Sequence, residues 1–438
     1  MIGALAFNLQ VANLLATAIV LAPTIVELAV VIFAGMLLAN IMQASGAQRV
    51  ISEYIKSSAH TRARGVLMVT FGMSSFFETS IGFGVGFVAT LPLLMSFGYS
   101  ASRSVMLALL GMVLSPWGVM GQAFVVAEEL TELPLQSIGL WGAIAVVPLV
   151  VTFAAAILFT AFPRHERLKQ AGEFIWMVLP MIIVLCICSQ FISVRIAGLL
   201  AAFSVIITGF LRGSIQRHQE NLVAMKDRGK PMLFASAPFI ALIGGLMVTQ
   251  AVPMPDIPPW NVVSSPAFWL FVAAACATSF GKNRATSWQT LRQTSRAWFV
   301  PGTTVVLYVF MGVILIASGM SSFMASAISA SGHAAVATIP GISLIAGFVT
   351  GSGSAASAML APGISAVSPG LGWSPSQGVA IQVVAASIGT IVNPAKFVLA
   401  QSILLGNRLS SNVAPRTMSI VAVASSLFLV TGVMFTIT

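Results

Sequence analysis

The residues best suited to chemistry lie in two short glycine-rich stretches of an otherwise apolar chain. Phe76-Phe77-Glu78-Thr79-Ser80-Ile81-Gly82-Phe83-Gly84-Val85-Gly86 holds an acid, two hydroxyls and three alternating glycines. Thr350-Gly351-Ser352-Gly353-Ser354-Ala355-Ala356-Ser357 holds hydroxyls and two glycines but no charge. Gly and Ser at this density unwind a helix and let bare backbone N–H groups approach a ligand. A half-helix that begins there directs its positive end at an anion. One such stretch alone would read as close helix packing through small residues. Two in equivalent places, each followed by a proline-broken segment, point to a site for an anion.

Glu78 is the sharpest single residue. A charged side chain at mid-membrane costs about 2.5–3.5 kcal/mol on insertion scales, so it must face a cavity or a partner. It can serve as the protonatable carboxylate of a proton-coupled carrier, or as a brace hydrogen-bonded to hairpin backbone. Residues 297–395 contain no Lys, Arg, Asp or Glu, and Lys396 then follows Asn393-Pro394-Ala395. A cation just past a helix break could hold a carboxylate; the alternative is a lysine reaching along its stem to the membrane interface. Ser115-Pro116-Trp117 occupies the corresponding place after the first stretch, as a break whose freed carbonyls and side chains can face substrate. The candidate substrate-binding set is therefore Thr79, Ser80, Gly82, Gly84, Ser115, Thr350, Gly351, Ser352, Ser354, Asn393 and Lys396, with Glu78 as the proton carrier.

The elements that must position these residues follow from composition. Of 438 residues, 58% are hydrophobic and only 7% charged, against about 25% charged in a soluble domain. Mean hydropathy is +0.98. Such a chain cannot cover a water-facing surface, and at about 20 apolar residues per span it has room for about a dozen crossings. A nucleic-acid-binding module, a disordered chain and a disulfide scaffold are excluded. No G-x-x-x-x-G-K-[ST] occurs, which excludes ATP-driven transport within this chain. His165-Glu166 lacks a second His at metal-ligand spacing, and Cys186, Cys188 and Cys276 lie in apolar segments as packing residues. The first charged residue is Glu27 and the first cation Arg49, so the N-terminus lacks the positive n-region of a secretory signal and is expected to stay as a span.

Apolar segments run near 2–21, 23–44, 65–97, 104–127, 137–162, 174–193, 195–211, 232–251, 264–280, 298–318, 338–365, 379–405 and 417–437. If all cross, the basic loops fall on both sides of the membrane. If 65–97 and 338–365 instead enter and return, every Lys and Arg except Arg195 and Lys396 faces the cytoplasm, as the positive-inside rule requires. The expectation is an all-α polytopic membrane protein with about 11 transmembrane helices, two re-entrant hairpins, and the N-terminus in the cytoplasm. Arg103, at the head of its span, reads as a topological anchor, with a substrate contact as the alternative.

An internal repeat agrees. Ala44-Ser45-Gly46 recurs as Ala317-Ser318-Gly319, and Phe97-Gly98-Tyr99-Ser100-Ala101-Ser102 as Leu371-Gly372-Trp373-Ser374-Pro375-Ser376, at offsets of 273 and 274. The two copies start from opposite sides, so the repeat is inverted, with halves near 23–162 and 298–437 linked by spans within 174–280. Inverted repeats with interrupted helices mark secondary transporters. A single integral transport domain over 1–438 is expected, neither an enzyme nor a metal protein, with a channel as the rival class.

At these motifs the chain resembles the lactate permease family, through Phe77-Glu78-Thr79-Ser80-Ile81-Gly82-Phe83-Gly84, Thr350-Gly351-Ser352 and Ala44-Ser45-Gly46-Ala47. The resemblance implies proton symport of lactate or glycolate across the cytoplasmic (inner) membrane, with H+ as coupling ion and Na+ as the alternative, and no cofactor. The family usually has Pro where this chain has Gly86, Asp where it has Gly353, and Lys where it has Thr390. Gly46-Ala47-Gln48-Arg49 is also similar to the gluconate permease family, which makes gluconate or another organic acid the alternative substrate. Both resemblances imply a homodimer in which a transport domain carrying two hairpins moves, elevator-like, against a scaffold.

Overall fold

The computed structural model describes residues 11–58, 61–80, 82, 84–216, 222–251, 260–279, 284–318, 335–403, 413, 416–417 and 419–420. Gly319 and the segment 421–437 of the expected last span lie outside the described residues, as do Ile81, Phe83 and His333. Every regular element among the described residues is helical. In chain order these are α1 (Val11–Ala44), α2 (Ala47–Ser58), α3 (Arg62–Leu67), a π-helical segment Met68–Ser74, α4 (Ser75–Ser80) and α5 (Val85–Ser96). Then come α6 (Ala101–Leu110), a 3-10 turn Ser115–Trp117, α7 (Gly118–Thr131), α8 (Leu135–Ala145), α9 (Val147–Ala161), α10 (Arg167–Phe191), α11 (Val194–Gln216) and α12 (Leu222–Ala251). The remainder is α13 (Trp260–Ser264), α14 (Pro266–Thr278), α15 (Arg284–Ala317), α16 (Ala335–Thr350), α17 (Gly353–Val367), a 3-10 turn Ser368–Leu371, α18 (Pro375–Gly389), a 3-10 turn Thr390–Val392 and α19 (Pro394–Ile403).

Among the described residues five helices are long and apolar enough to cross a membrane, or six if α6 and α7, bent by 64° at their junction, form one span. One expectation needs correction at the start of the chain. The two spans read from 2–21 and 23–44 are, over the described residues, one continuous helix of 34 residues with Pro23 inside it. A proline removes one backbone donor, and a long apolar helix tolerates that loss.

The helices sort into two packing groups. In one, α1 packs against α14 and α15, and α12 against α14 and α2. In the other, α10 and α11 pack against each other, α11 also against the π-helical segment, α4 and α7, and α17 and α18 against α7, α8 and α16. Between the groups run the contacts of α15 with α17 and of α1 with α7. A small apolar cluster fills that seam: Val126 and Ala358 from one group against Ile25, Met36 and Trp298 from the other. Glu27 bridges the same two groups, its Oε1 3.2 Å from Arg195 Nη1 while Ser265 Oγ donates to it at 3.1 Å.

The broken pairs α4/α5 and α16/α17 each fold back so that their limbs pack together. In the first, a Cβ on Gly86 would sit 2.1 Å from the carbonyl oxygen of Ser74, so only glycine permits the approach. Arg64, in α3 just before this pair, is fully buried. Its Nη2 is 2.9 Å from Glu173 Oε1 on α10, and Arg212 Nε of α11 reaches the same oxygen at 3.1 Å. A buried guanidinium needs such a carboxylate because unpaired it would be too costly to desolvate.

Candidate functional site

The first broken pair is closed by Glu78. Its Oε2 accepts the N–H of Gly84 at 3.0 Å, across the interruption, and the side chain is buried. Gly82 and Gly84 have φ of 76° and 77°, the left-handed region that glycine enters without strain. Gly82 N–H donates to Phe77 O at 3.3 Å and Val85 N–H to Gly82 O at 3.0 Å. The brace reading of Glu78 is thus present in the structure. Thr79 and Ser80 are buried and both hydroxyls turn back to the carbonyl of Phe76. Their protons are used within the helix, which leaves backbone rather than hydroxyl donors at this tip.

The second tip is built differently. Gly351 takes a φ of 66°, and Ser352 caps α17, its Oγ accepting Ala355 N–H at 3.3 Å and lying 3.1 Å from Ser354 Oγ. Thr350 Oγ1 accepts Ser352 N–H at 3.3 Å and is 2.8 Å from Ala346 O. Asn393, in the break after α18, ties this tip down: Nδ2 donates to Phe348 O at 2.7 Å, and Oδ1 accepts Ala395 N–H at 2.8 Å. The same amide is the nearest neighbour, at 3.0 Å, of a Cβ placed on Gly351.

The two breaks repeat each other closely. Ser115–Trp117 and Thr390–Val392 are both single 3-10 turns, followed by Gly118 (φ −56°, ψ 141°) and Asn393 (φ −59°, ψ 134°). Ser115 and Thr390 are 275 residues apart in sequence, and their hydroxyl oxygens lie 3.4 Å apart. Both hydroxyls also reach the carbonyl of Ser387, at 3.4 and 2.7 Å. The corresponding points of the two halves therefore meet in the interior.

Both tips close on the start of α7. A Cβ on Gly82 would lie 2.0 Å from Val119 Cγ2, and one on Gly353 3.4 Å from the Ala123 methyl. Here Val119, Met120 and Gly121 form a left-handed turn (φ 46°, 60° and 71°). For an L-residue that conformation costs about 1–2 kcal/mol, and for valine its β-branch makes it rarer still. The packed tips hold it in place. Sequence carries no signal for this turn beyond Gly121.

Lys396 does not extend along its own helix toward the interface. Its Nζ lies 3.7 Å from Met112 Sδ, in the turn that precedes the first break, and it interacts electrostatically with Glu78. A thioether offers a cation little, so the charge that answers Lys396 is Glu78. The acid of the first tip and the cation of the second break are thereby brought together although 318 positions separate Glu78 from Lys396. Arg103 stands apart, exposed at the start of α6.

Models of protein families give a match over the whole chain. The L-lactate permease model aligns with residues 1–255 and again with 242–438. The chain belongs to the L-lactate permease family. As a member of that family it is a multi-pass membrane transporter of organic acids. None of the curated proteins matches it. Among solved structures, the transporter YdaH of Alcanivorax borkumensis, described as having an unusual topology, aligns with 97% of this permease and 87% of its own chain, at 16% identity and a TM-score of 0.46.

Of the three positions read as departures from the resembled family, Gly86 packs against Ser74 in the first pair, and the other two meet one residue. Gly353 and Thr390 both border Ser387: a Cβ on Gly353 would be 2.6 Å from Ser387 Oγ, and Thr390 bonds its carbonyl. Ser387 and Thr390 are absent from the set read from sequence, because nothing in an Ala-Ser-Ile-Gly-Thr run distinguishes a site from helix packing. Among the described residues no group of His, Cys, Asp or Glu could hold a metal ion.

Proposed function

We propose that this permease carries a small 2-hydroxymonocarboxylate, lactate or glycolate, together with a proton. The observation that carries the reading is that Glu78 and Lys396 lie near enough to influence each other electrostatically, beside the point where the two breaks touch. Lys396 and the first-turn amides of α17 supply the positive field for a carboxylate, and Glu78 supplies one protonatable group. Because Gly84 N–H bonds a carboxylate oxygen, its hydrogen bond is charge-assisted and about twice as strong as a neutral one. A proton on Glu78 weakens that bond and loosens the first tip. It also frees Lys396 to take the substrate's negative charge in place of Glu78. Proton and anion then enter as a neutral pair, a load a low-dielectric interior accepts far more readily than either ion alone.

In the same reading, the two broken pairs are re-entrant hairpins in an inverted repeat. The packing group that carries them slides as an elevator against the group of α1, α2, α12, α14 and α15 within a homodimer. The membrane is the cytoplasmic one, with the N-terminus inside. Uptake of labelled lactate into proteoliposomes tests this, with an imposed pH gradient present or absent and unlabelled glycolate, gluconate, pyruvate and a sulfonate as competitors. Gradient-dependent accumulation blocked by glycolate is expected. Uptake that follows only gluconate or another anion assigns a different substrate to the site, and uptake indifferent to the gradient removes the proton.

A further inference from the structure

Among the described residues, many helical hydroxyls are turned back on the backbone. Ser343 and Ser368 bond the carbonyls four residues before them, of Ile339 and Ile364. Ser387, inside α18, does not. Its Oγ is buried, the residue is 1% exposed, and the oxygen has no hydrogen-bond partner. A helical serine has a carbonyl one turn back to bond, so a hydroxyl held away from it in the interior is left able to take a partner; Ser189 and Ser357 share that state, and what sets Ser387 apart is where it faces. The side chain is aimed at the second tip, for the Cβ position of Gly353 is only 2.6 Å from its oxygen. Any side chain at 353 would fill that space, and the glycine leaves Ser387 directly against the first turn of α17.

That first turn supplies the other half of the arrangement. Ser352 N–H is taken by Thr350 Oγ1 and Ala355 N–H by Ser352 Oγ. The amides of Gly353 and Ser354 lie between them, in the turn where a helix offers no carbonyl of its own. Two adjacent amides at the positive end of a 15-residue helix are suited to hold a carboxylate. In a 2-hydroxymonocarboxylate the hydroxyl sits on the carbon next to the carboxylate, so an anion held at Gly353 and Ser354 brings its hydroxyl beside Ser387.

We infer that Ser387 is the residue that recognises the substrate's 2-hydroxyl, and so selects hydroxy acids over plain carboxylates when the second tip lifts. This rests on the hydroxymonocarboxylate reading given above. A hydrogen bond offered by a buried group discriminates strongly, because an analogue without the hydroxyl leaves the group unpaired.

The test compares matched pairs of anions in proteoliposomes: lactate with propionate, and glycolate with acetate. In the wild-type protein, lactate competes for labelled lactate uptake better than propionate. Ser387→Ala is expected to raise the lactate KM by about fivefold to tenfold, the size of one neutral hydrogen bond. The propionate inhibition constant should stay where it was, so the preference for the hydroxy acid collapses. Ser387→Cys, which keeps the volume, should show the same collapse should the alanine variant fold poorly. Ser189→Ala is the control, since Ser189 Oγ on α10 is also buried without a partner, and it should leave both constants unchanged. An undiminished preference for lactate over propionate in the Ser387 variants overturns the assignment, as does an equal weakening of both anions. Absence of lactate uptake by the wild type is a separate result, which removes the reading beneath it before any variant is made.

Discussion

Replacing Glu78 by glutamine keeps the size and the acceptor for Gly84 N–H but removes the charge and the proton. In the structure one carboxylate oxygen holds the first tip closed at 3.0 Å from that amide. Hydrogen bonds to charged groups are worth about 1.5–3 kcal/mol against 0.5–1.5 for neutral ones. The substitution therefore weakens the latch by about 1–1.5 kcal/mol, which opens the tip about fivefold to tenfold more often. It also leaves Lys396 with no opposing charge beyond the substrate itself. The Glu78→Gln protein should bind anion and exchange it across the membrane, because the tip still opens and Lys396 is still present. It should not concentrate anion against a gradient. One pH unit stores about 1.4 kcal/mol per proton, enough for about tenfold accumulation by a one-to-one symporter, and in the variant accumulation should fall to the equilibrium value. The assay is labelled lactate uptake into proteoliposomes with a one-unit pH gradient, beside counterflow exchange with no gradient. Wild-type accumulation by Glu78→Gln would refute the coupling role, and loss of counterflow together with accumulation would reduce Glu78 to a structural brace.

Lys396→Met should raise the KM for the transported anion by tenfold or more in proteoliposome uptake, because it removes the cation that answers both Glu78 and the substrate carboxylate. Gly82→Ala combines a positive φ with a contact of 2.0 Å to Val119, whereas Gly84→Ala at φ 77° meets open space. The first should cost several kcal/mol and the second about 1–2 kcal/mol, read as unequal falls in melting temperature measured by fluorescence-detected size exclusion. Glu173→Gln leaves buried Arg64 facing Arg212 without the carboxylate that joins them. A loss of about 3–5 kcal/mol is expected, with denaturation midpoints as the readout; a change below 1 kcal/mol would show the pair to be dispensable.

Much of the fold was legible because lipid imposes a simple rule on sequence. A chain with so few charges must satisfy its backbone within helices, and Gly-rich stretches in such a chain mark interruptions. The helix end at Ser80 and the new start at Val85, the break at 351–352, and the 3-10 turns at Ser115 and Thr390 came where glycines and prolines stood. What sequence misjudged was Pro23, which lies within a helix although the same residue type accompanies a break at Pro116 and Pro394. The difference is environmental. Pro116 and Pro394 follow Ser115 and Asn393, whose side chains bond backbone groups around the breaks, whereas Pro23 lies within one continuous helix.

The candidate site divides in the same way. Residue type alone singled out Glu78 and Lys396, since an isolated charge in an apolar segment needs a reason, but left each with two readings. Tertiary structure set what each of them meets by bringing distant parts of the chain together: Lys396 turns to Met112, Glu78 accepts the N–H of Gly84, and Ser115 meets Thr390. It also withdrew the hydroxyls of Thr79 and Ser80 into their own helix and brought forward Ser387, a residue that sequence gave no cause to notice. A sequence states which groups must be hidden from lipid, because transfer energy belongs to each residue type. Which hidden group faces which depends on the crossing of helices hundreds of residues apart, and only the packed structure holds that information.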